Sequence, residues 1–335
     1  MARAIRSEAG VVTVLLGGST LWGLYWLPLR LLEQGGLGGL WVVVLVYVGA
    51  SGVLLWLARR ELRALPGFAA PMLGIGLSGA VSGIAFSVGV IEGEVARVLI
   101  LFYLAPVWSV LLARWVLREP LAPVTIPALL VALGGAAMML LSDGGLAGSR
   151  LALAELLGLI AGLAFALTNV QLRAARALSP RLKNLAACYL VPPLAVVVAV
   201  ALDLPLAAPA VTLVGSLVLG MVWMSAMIAM VQYGVSHLPL QQSSVLLLFE
   251  LIVGAVSAAL IAGERLGPWE LIGGVCIAAA GLAVVWGRRT AARADPPGLS
   301  QPRRDRHERG GDGATRAGGT SASSDSGCRG QDPGA

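Results

Sequence analysis

A single carboxylate lies inside one of the most apolar stretches of the sequence. Glu250 follows the apolar run 245–249 and precedes 251–262, in which every residue is apolar or small. A charged carboxylate at mid-membrane is energetically costly, so the group is either protonated or paired with a cation. Two interpretations stay open. Glu250 forms a substrate-amine or proton site in a central cavity, or it is a neutral acid that hydrogen-bonds to a neighbouring helix.

Aromatic and polar side chains in other apolar segments are candidates for the same pocket. Trp22, Trp108 and Trp223 lie near the middles of their segments, where the usual role of Trp as an interfacial anchor does not apply. They either pack between helices or line a cavity. Small-molecule pockets combine aromatic walls with a few polar groups. The predicted substrate-binding residues are Glu250, Trp22, Tyr25, Trp26, Tyr103, Asn169, Trp223 and Gln232.

Arg30 lies near the outer end of the first apolar segment, close to Glu33. It either binds an anionic substrate group or extends its charged end to the membrane interface, and the pattern favours the interface.

Catalytic and metal-binding motifs are missing from the sequence. Its two histidines, His237 and His307, are far apart, and its three cysteines, Cys188, Cys276 and Cys328, have no paired spacing. No HExxH, GxSxG, P-loop or CxxC pattern occurs. We therefore expect no metal, no cofactor and no enzymatic activity.

Composition places these residues in a membrane protein. Of the 335 residues, 57% are hydrophobic and 13% are charged, against about 25% charged in a soluble domain. The mean hydropathy is +0.84. Soluble enzymes, disordered chains and disulfide-stapled domains are excluded, because a soluble fold needs more polar surface. The fold class predicted is an all-α membrane protein, and its net charge of +6 indicates membrane topology and not nucleic-acid binding.

Ten segments are apolar over about the 20 residues needed to span a bilayer. They are 11–32, 39–58, 68–90, 96–116, 121–142, 153–175, 184–202, 211–234, 240–262 and 268–287. Pro106 in the fourth segment and Pro192–Pro193 in the seventh should kink their helices.

The distribution of Lys and Arg predicts that both termini are cytoplasmic. In that orientation four of these residues face outside, namely Arg30, Arg97, Arg150 and Arg265. The cytoplasmic side receives fourteen, namely Arg3, Arg6, Arg59, Arg60, Arg63, Arg114, Arg118, Arg173, Arg176, Arg181, Lys183, Arg288, Arg289 and Arg293. Residues 1–10 form the predicted cytoplasmic N-terminus. The tail 288–335 is rich in Gly, Ser, Asp, Arg and Pro, which predicts cytoplasmic disorder.

The two halves of the membrane region resemble each other. Residues 87–141 align without gaps with 232–286, and both stretches contain Glu-x-Leu-x-Pro, beginning at Glu119 and Glu264. Residues 22–30 similarly align with 165–173, pairing Arg30 with Arg173. Each repeat, 11–142 and 153–287, holds five segments. An odd number inverts the second copy, an arrangement found in secondary transporters.

The ordered set of motifs resembles the EamA-like exporters of the drug/metabolite transporter superfamily. It consists of Trp22-Gly23 with Arg30, residues 89–106, Glu119-x-Leu121, residues 234–244, Phe249-Glu250 and Gly263-Glu264-Arg-Leu266. The sequence departs from the family pattern at Leu251, where the family usually has Pro, and at Phe165, where Trp is expected. The resemblance covers about 11–287 and implies alternating-access transport of small metabolites, mostly export, across the bacterial inner membrane.

We therefore expect a secondary transporter for an amino acid, an amine or a drug-like solute. The expected partners are this small-molecule substrate and the lipid bilayer, with no nucleic acid, and the expected state is a monomer or weak homodimer. The alternative is an intramembrane enzyme or a lipid-handling protein with a lateral groove.

Overall fold

The computed structural model describes residues 8–62, 67, 69–116, 118, 124–141, 150–238, 246–247, 249–264 and 267–294. Across these residues the secondary structure is helical, with turns between the helices and no strand. The chain divides after Ala294 into two units, and every described residue belongs to the first. Glu119, residues 1–7 of the predicted N-terminus 1–10 and residues 295–335 of the predicted tail 288–335 lie outside the described residues.

Fourteen α-helices and two π-helical turns make up this part of the chain. The α-helices are α1 Glu8–Gly23, α2 Trp26–Gln34, α3 Gly39–Ala58, α4 Ala69–Glu92, α5 Val95–Phe102, α6 Ala105–Val116, α7 Thr125–Leu141, α8 Arg150–Ala174, α9 Pro180–Cys188, α10 Val191–Ala201, α11 Ala210–Leu219, α12 Ser225–His237, α13 Phe249–Ser257 and α14 Pro268–Ala294. The π-helical turns are Gly220–Met224, between α11 and α12, and Ala258–Ala262, after α13.

Seven helical stretches in the described residues are long and apolar enough to cross a membrane. They are Glu8–Gln34, Gly39–Ala58, Ala69–Glu92, Val95–Val116, Leu153–Ala174, Pro180–Ala201 and Ala210–His237. Three shorter apolar helices, Ile126–Met138, Phe249–Ala262 and Leu271–Ala283, occupy the other three predicted segments. The chain is thus a multi-pass membrane protein, and a count of ten spans stays a prediction.

Three of the long stretches are interrupted shortly before a proline. The breaks lie between Gly23 and Trp26, between Phe102 and Ala105, and between Cys188 and Val191. Proline has no N–H to donate, and its ring collides with the carbonyl group four residues earlier. Pro106 and Pro192 account for the second and third breaks as predicted, and Pro28 produces the first by the same mechanism.

Glycines allow α8 to pack directly on the backbone of α5. A β-carbon on Gly158 would lie 3.0 Å from the carbonyl oxygen of Val98, and one on Gly162 would lie 2.6 Å from that of Phe102. All eight residues of α5 are buried. The short helix is therefore embedded in the bundle and held against α8.

The last helix is longer than the sequence predicted. Disorder was expected from residue 288, but α14 continues to Ala294. Residues 288–294 are Arg, Thr and Ala, and Arg and Ala favour helix strongly enough to extend an existing one into a polar region.

Candidate functional site

Glu250 is buried where α13 meets α1 and α5. Its side chain is 8% exposed. A β-carbon on Gly23 of α1 would fall 2.7 Å from the carbonyl oxygen of Glu250, so the two backbones are in direct contact. The Tyr103 hydroxyl, just beyond α5, lies within hydrogen-bonding reach of the Glu250 carboxyl group. It also donates to the Leu247 carbonyl oxygen at 3.3 Å.

Two interrupted helices end beside this carboxyl group. α1 ends at Gly23 and α5 ends at Phe102. The C-terminal end of a helix carries a partial negative charge. Two such ends next to a buried carboxyl group favour a proton or another cation at Glu250. Discontinuous membrane helices form cation sites in transporters in this way.

A chain of aromatic rings runs from the first break to the second. Successive ring centroids are 6.0 Å apart for Tyr25 and Trp22, 6.4 Å for Trp22 and Phe86, 5.0 Å for Phe86 and Phe102, and 6.0 Å for Phe102 and Tyr103. This row of rings ends at Tyr103, which faces Glu250. Trp22, Tyr25 and Tyr103 thus belong to one row of rings, which Phe86 and Phe102 complete. That they bind substrate stays a prediction.

Two tryptophan side chains form hydrogen bonds on either side of the break between Gly23 and Trp26. The Trp223 indole N–H donates to the Leu21 carbonyl oxygen at 3.1 Å, one of the carbonyls near the end of α1. The Trp26 indole N–H donates to the Ser257 hydroxyl at 3.0 Å. These bonds attach both sides of the break to neighbouring helices.

Asn169 and Gln232 lie apart from this cluster. The Gln232 amide donates to the Ser236 hydroxyl, 3.2 Å away on the same helix, at an exposed position. Asn169 is half-buried on α8. No described contact joins either residue to Glu250, so their role in binding stays a prediction.

Two further polar groupings were not expected from the sequence. The Thr168 hydroxyl of α8 donates to that of Ser78 on α4 at 2.8 Å, and the Gln171 amide lies 3.4 Å from the same oxygen. In the core, the Tyr25 hydroxyl donates to the sulfur of Met224 at 4.0 Å. Isolated Ser and Thr in apolar helices give little sequence signal, because they also bond to their own helix backbone.

The guanidinium of Arg30 contacts the end of α4 and Glu264. Its Nε donates to the Val90 carbonyl oxygen at 2.8 Å, and its guanidinium also donates to that of Gly93. Its Nη1 lies 3.2 Å from Oε1 of Glu264. Arg30 therefore pairs with an anion from the other half of the chain, because the fold brings Glu264 to the end of α2. Its place at the membrane interface stays a prediction.

A second ion cluster lies on α5 itself. Arg97 Nη1 is 2.8 Å from Glu155 of α8, and Arg97 Nε is 2.8 Å from Glu94. The Arg97 and Glu155 side chains are each 7% exposed. This pair joins α5 to α8 at the end of the bundle where Arg30 lies.

Two apolar grooves flank the site. One, about 350 Å³, lies along α13 and is lined by Phe249, Ile252, Val253, Val256, Ser257, Leu260 and Ile261. The other, about 290 Å³, is lined by Leu104, Trp108, Leu133, Ala136, Ala137, Leu159, Ile160 and Leu163. Within the described part of the chain, no group of three or more His, Cys, Asp and Glu residues is placed to hold a metal ion.

The first half of the chain carries the pattern of a known transporter family. Residues 9–141 match the EamA-like transporter family. The match confirms the resemblance to EamA-like members of the drug/metabolite transporter superfamily, and its limits are close to those of the predicted first repeat. It supports a membrane transporter of this type.

One solved structure supports the fold alone. A chain described only as "Crystal structure of protein" has a TM-score of 0.56 at 15% identity, covering 85% of this chain and 99% of that one. No curated protein matches the sequence.

Proposed function

We propose that the protein is a ten-helix secondary transporter that moves a small metabolite across the bacterial inner membrane by alternating access, as an exporter of an amino acid, an amine or a drug-like solute. The observation that carries the proposal is the buried Glu250 carboxyl group between the ends of two interrupted helices. Such a group takes up and releases a proton or binds a substrate ammonium group.

The helix contacts support an inverted repeat. α1 packs on α12 and α13, and its counterpart α8 packs on α4 and α5. Likewise α3 packs on α11, as α9 and α10 pack on α4. Exchanging each segment of the first predicted repeat for its counterpart in the second converts the first contact of each pair into the second. With the three shorter helices counted, this symmetry favours ten spans, an even number that puts both termini on the same side. The distribution of Lys and Arg favours the cytoplasm as that side.

The substrate path in this proposal follows the aromatic chain to Glu250. Its rings offer apolar and cation-binding faces, and the carboxyl group supplies the one strongly polar contact. A monomer contains the complete site, so assembly beyond a weak dimer is not needed.

The test is transport by the purified protein in liposomes. Mixtures of amino acids, biogenic amines and cationic drugs are loaded, and efflux is followed by mass spectrometry against protein-free liposomes. We expect saturable efflux of at least one amine-bearing solute. The groove along α13 favours the lipid-handling alternative, so a fluorescent phospholipid is included in the same vesicles. Movement of the phospholipid without movement of any solute would overturn the proposal.

A further inference from the structure

The two ends of the short helix α5 contact different acidic residues, Glu250 at the C-terminal end and Glu264 at the N-terminal end. Its C-terminal end leads into Tyr103, which faces Glu250. Its N-terminal end contacts Glu264, whose two carboxylate oxygens accept hydrogen bonds from the backbone N–H groups of Val95 at 2.9 Å and Ala96 at 3.0 Å. Eight helical residues span about 12 Å. A small tilt of α5 that begins at its C-terminal end, near Glu250, therefore moves its N-terminal end, near Glu264.

Glu264 joins three parts of the bundle at this end. It follows Gly263, whose φ of +70° is in the left-handed region that favours glycine and turns the chain sharply after the π-helical turn. Its carboxylate stabilises the positive end of α5 and pairs with Arg30 of α2. Arg30 in turn holds the Val90 and Gly93 carbonyl groups at the end of α4.

The two ion clusters on α5 differ in how easily water can replace them. The Arg97 and Glu155 side chains are each 7% exposed, whereas the Arg30 and Glu264 side chains are 19% and 9% exposed, so water reaches the second pair through Arg30. Separating a fully buried pair leaves uncompensated charge and is strongly unfavourable. The Arg97 cluster and the glycine contacts therefore keep α5 on α8, and the Arg30–Glu264 contact is the one that can separate.

We propose that Arg30 and Glu264 form a latch that closes this end of the bundle, and that its opening lets α5 and α8 move away from α2 during transport. The proposal rests on the proposed function, since a latch of this kind serves alternating access. It assigns Arg30 and Glu264 as positioning residues, which act on the path without touching the substrate.

The test measures access to α5 and needs no substrate. Leu99, buried on α5 and 1% exposed, is replaced in a cysteine-free background by Leu99→Cys, with Cys188→Ala, Cys276→Ala and Cys328→Ala. The rate of N-ethylmaleimide labelling is measured on the detergent-solubilised protein. Arg30→Gln should raise the rate about tenfold, equivalent to about 1.4 kcal/mol. An unchanged rate would overturn the latch.

Arg181→Gln is the matched control, because it removes another Arg–Glu contact, the one with Glu61 at 3.0 Å. It should leave the labelling rate unchanged. An equal rise in both variants would mean general loosening and would also overturn the latch.

If Arg30→Gln does not fold, Arg30→Lys replaces it. Lysine keeps a positive charge opposite Glu264 but lacks the fork that reaches both carbonyl groups. An intermediate labelling rate supports the latch, and the wild-type rate contradicts it. If no solute is transported but Arg30→Gln raises the labelling rate of Leu99→Cys, the proposed function is contradicted and the proposed latch is supported. If transport occurs without this response, only the latch fails.

Discussion

Glu61 joins two loops through a surface carboxylate. It lies beyond the end of α3, where it accepts a hydrogen bond from the Ser179 hydroxyl and contacts Nη1 of Arg181 at 3.0 Å. Ser179 also caps α9 by accepting from the Leu182 N–H at 3.3 Å. The hydrogen bond from Ser179, followed by the contact with Arg181, holds the pKa of Glu61 below its ordinary value.

The lowered pKa of Glu61 predicts a pH-dependent contribution to stability. A carboxyl group whose pKa is lower in the folded than in the unfolded state stabilises the fold at neutral pH, and this contribution is lost as the pH falls through the folded-state pKa. Glu61→Gln should therefore lower the melting temperature in detergent at pH 7. The difference from wild type should shrink below about pH 4.3.

Glu92→Gln, the same substitution at an exposed position, serves as the control for loss of a carboxyl group at the surface. A Glu61→Gln difference of equal size at pH 7 and at low pH would show that ionisation of Glu61 does not contribute.

At the residue level, the sequence identified groups but not their partners. Glu250 could be found because one carboxylate in an apolar run is conspicuous, whereas Tyr103 faces it from a distant segment. Arg30 was assigned to the interface because it lies near the outer end of its segment, with Glu33 close in sequence. Its actual partner, Glu264, comes from the other half of the chain and is brought there only by the fold.

At the level of helices, two adjacent glycines of α7 face different surroundings. A β-carbon on Gly135 would lie 2.6 Å from the Gly273 carbonyl oxygen of α14, whereas one on Gly134 would meet nothing within 4 Å. The contact between α7 and α14 thus depends on one of the two glycines.

Alanine substitutions at these two positions should have opposite effects. Gly135→Ala should destabilise the protein by about 1–3 kcal/mol, because the helices must separate. Gly134→Ala should be neutral or stabilise by about 0.5–1 kcal/mol, since alanine favours helix. Thermal unfolding in detergent measures both. Equal effects would show that α7 and α14 do not pack as described.

The helices themselves follow largely from hydrophobicity and proline. All ten predicted segments contain an apolar helix, and Pro106 and Pro192 were recognised as kinks. The break caused by Pro28 was missed, because this residue lies near the end of its segment. The π-helical turns carry no local signal that distinguishes them, since they depend on packing against neighbouring helices.

For the whole molecule, α3 provides a direct test of orientation. Gly38 precedes this helix and Arg60 follows it, and both positions are exposed. A 20-residue helix spans about 30 Å, so the two positions are at opposite faces of the membrane.

A cysteine at each position reports its side. In intact cells, a membrane-impermeant thiol reagent should label Gly38→Cys and leave Arg60→Cys unlabelled, because the 14-to-4 distribution of Lys and Arg favours a cytoplasmic N-terminus. Labelling of Arg60→Cys after cell lysis is the control. Labelling of Arg60→Cys alone in intact cells would reverse the orientation.

Transport by Glu250→Gln tests the central claim most directly. The amide keeps the shape of the side chain and its contact with Tyr103 but cannot ionise. Efflux from liposomes should fall at least about tenfold, or about 1.4 kcal/mol in activation free energy, and the residual rate should lose its pH dependence between about pH 5.5 and 8.5. Glu92→Gln, the same substitution at an exposed position, should transport normally. A Glu250→Gln protein that transports at the wild-type rate throughout this range would contradict the account.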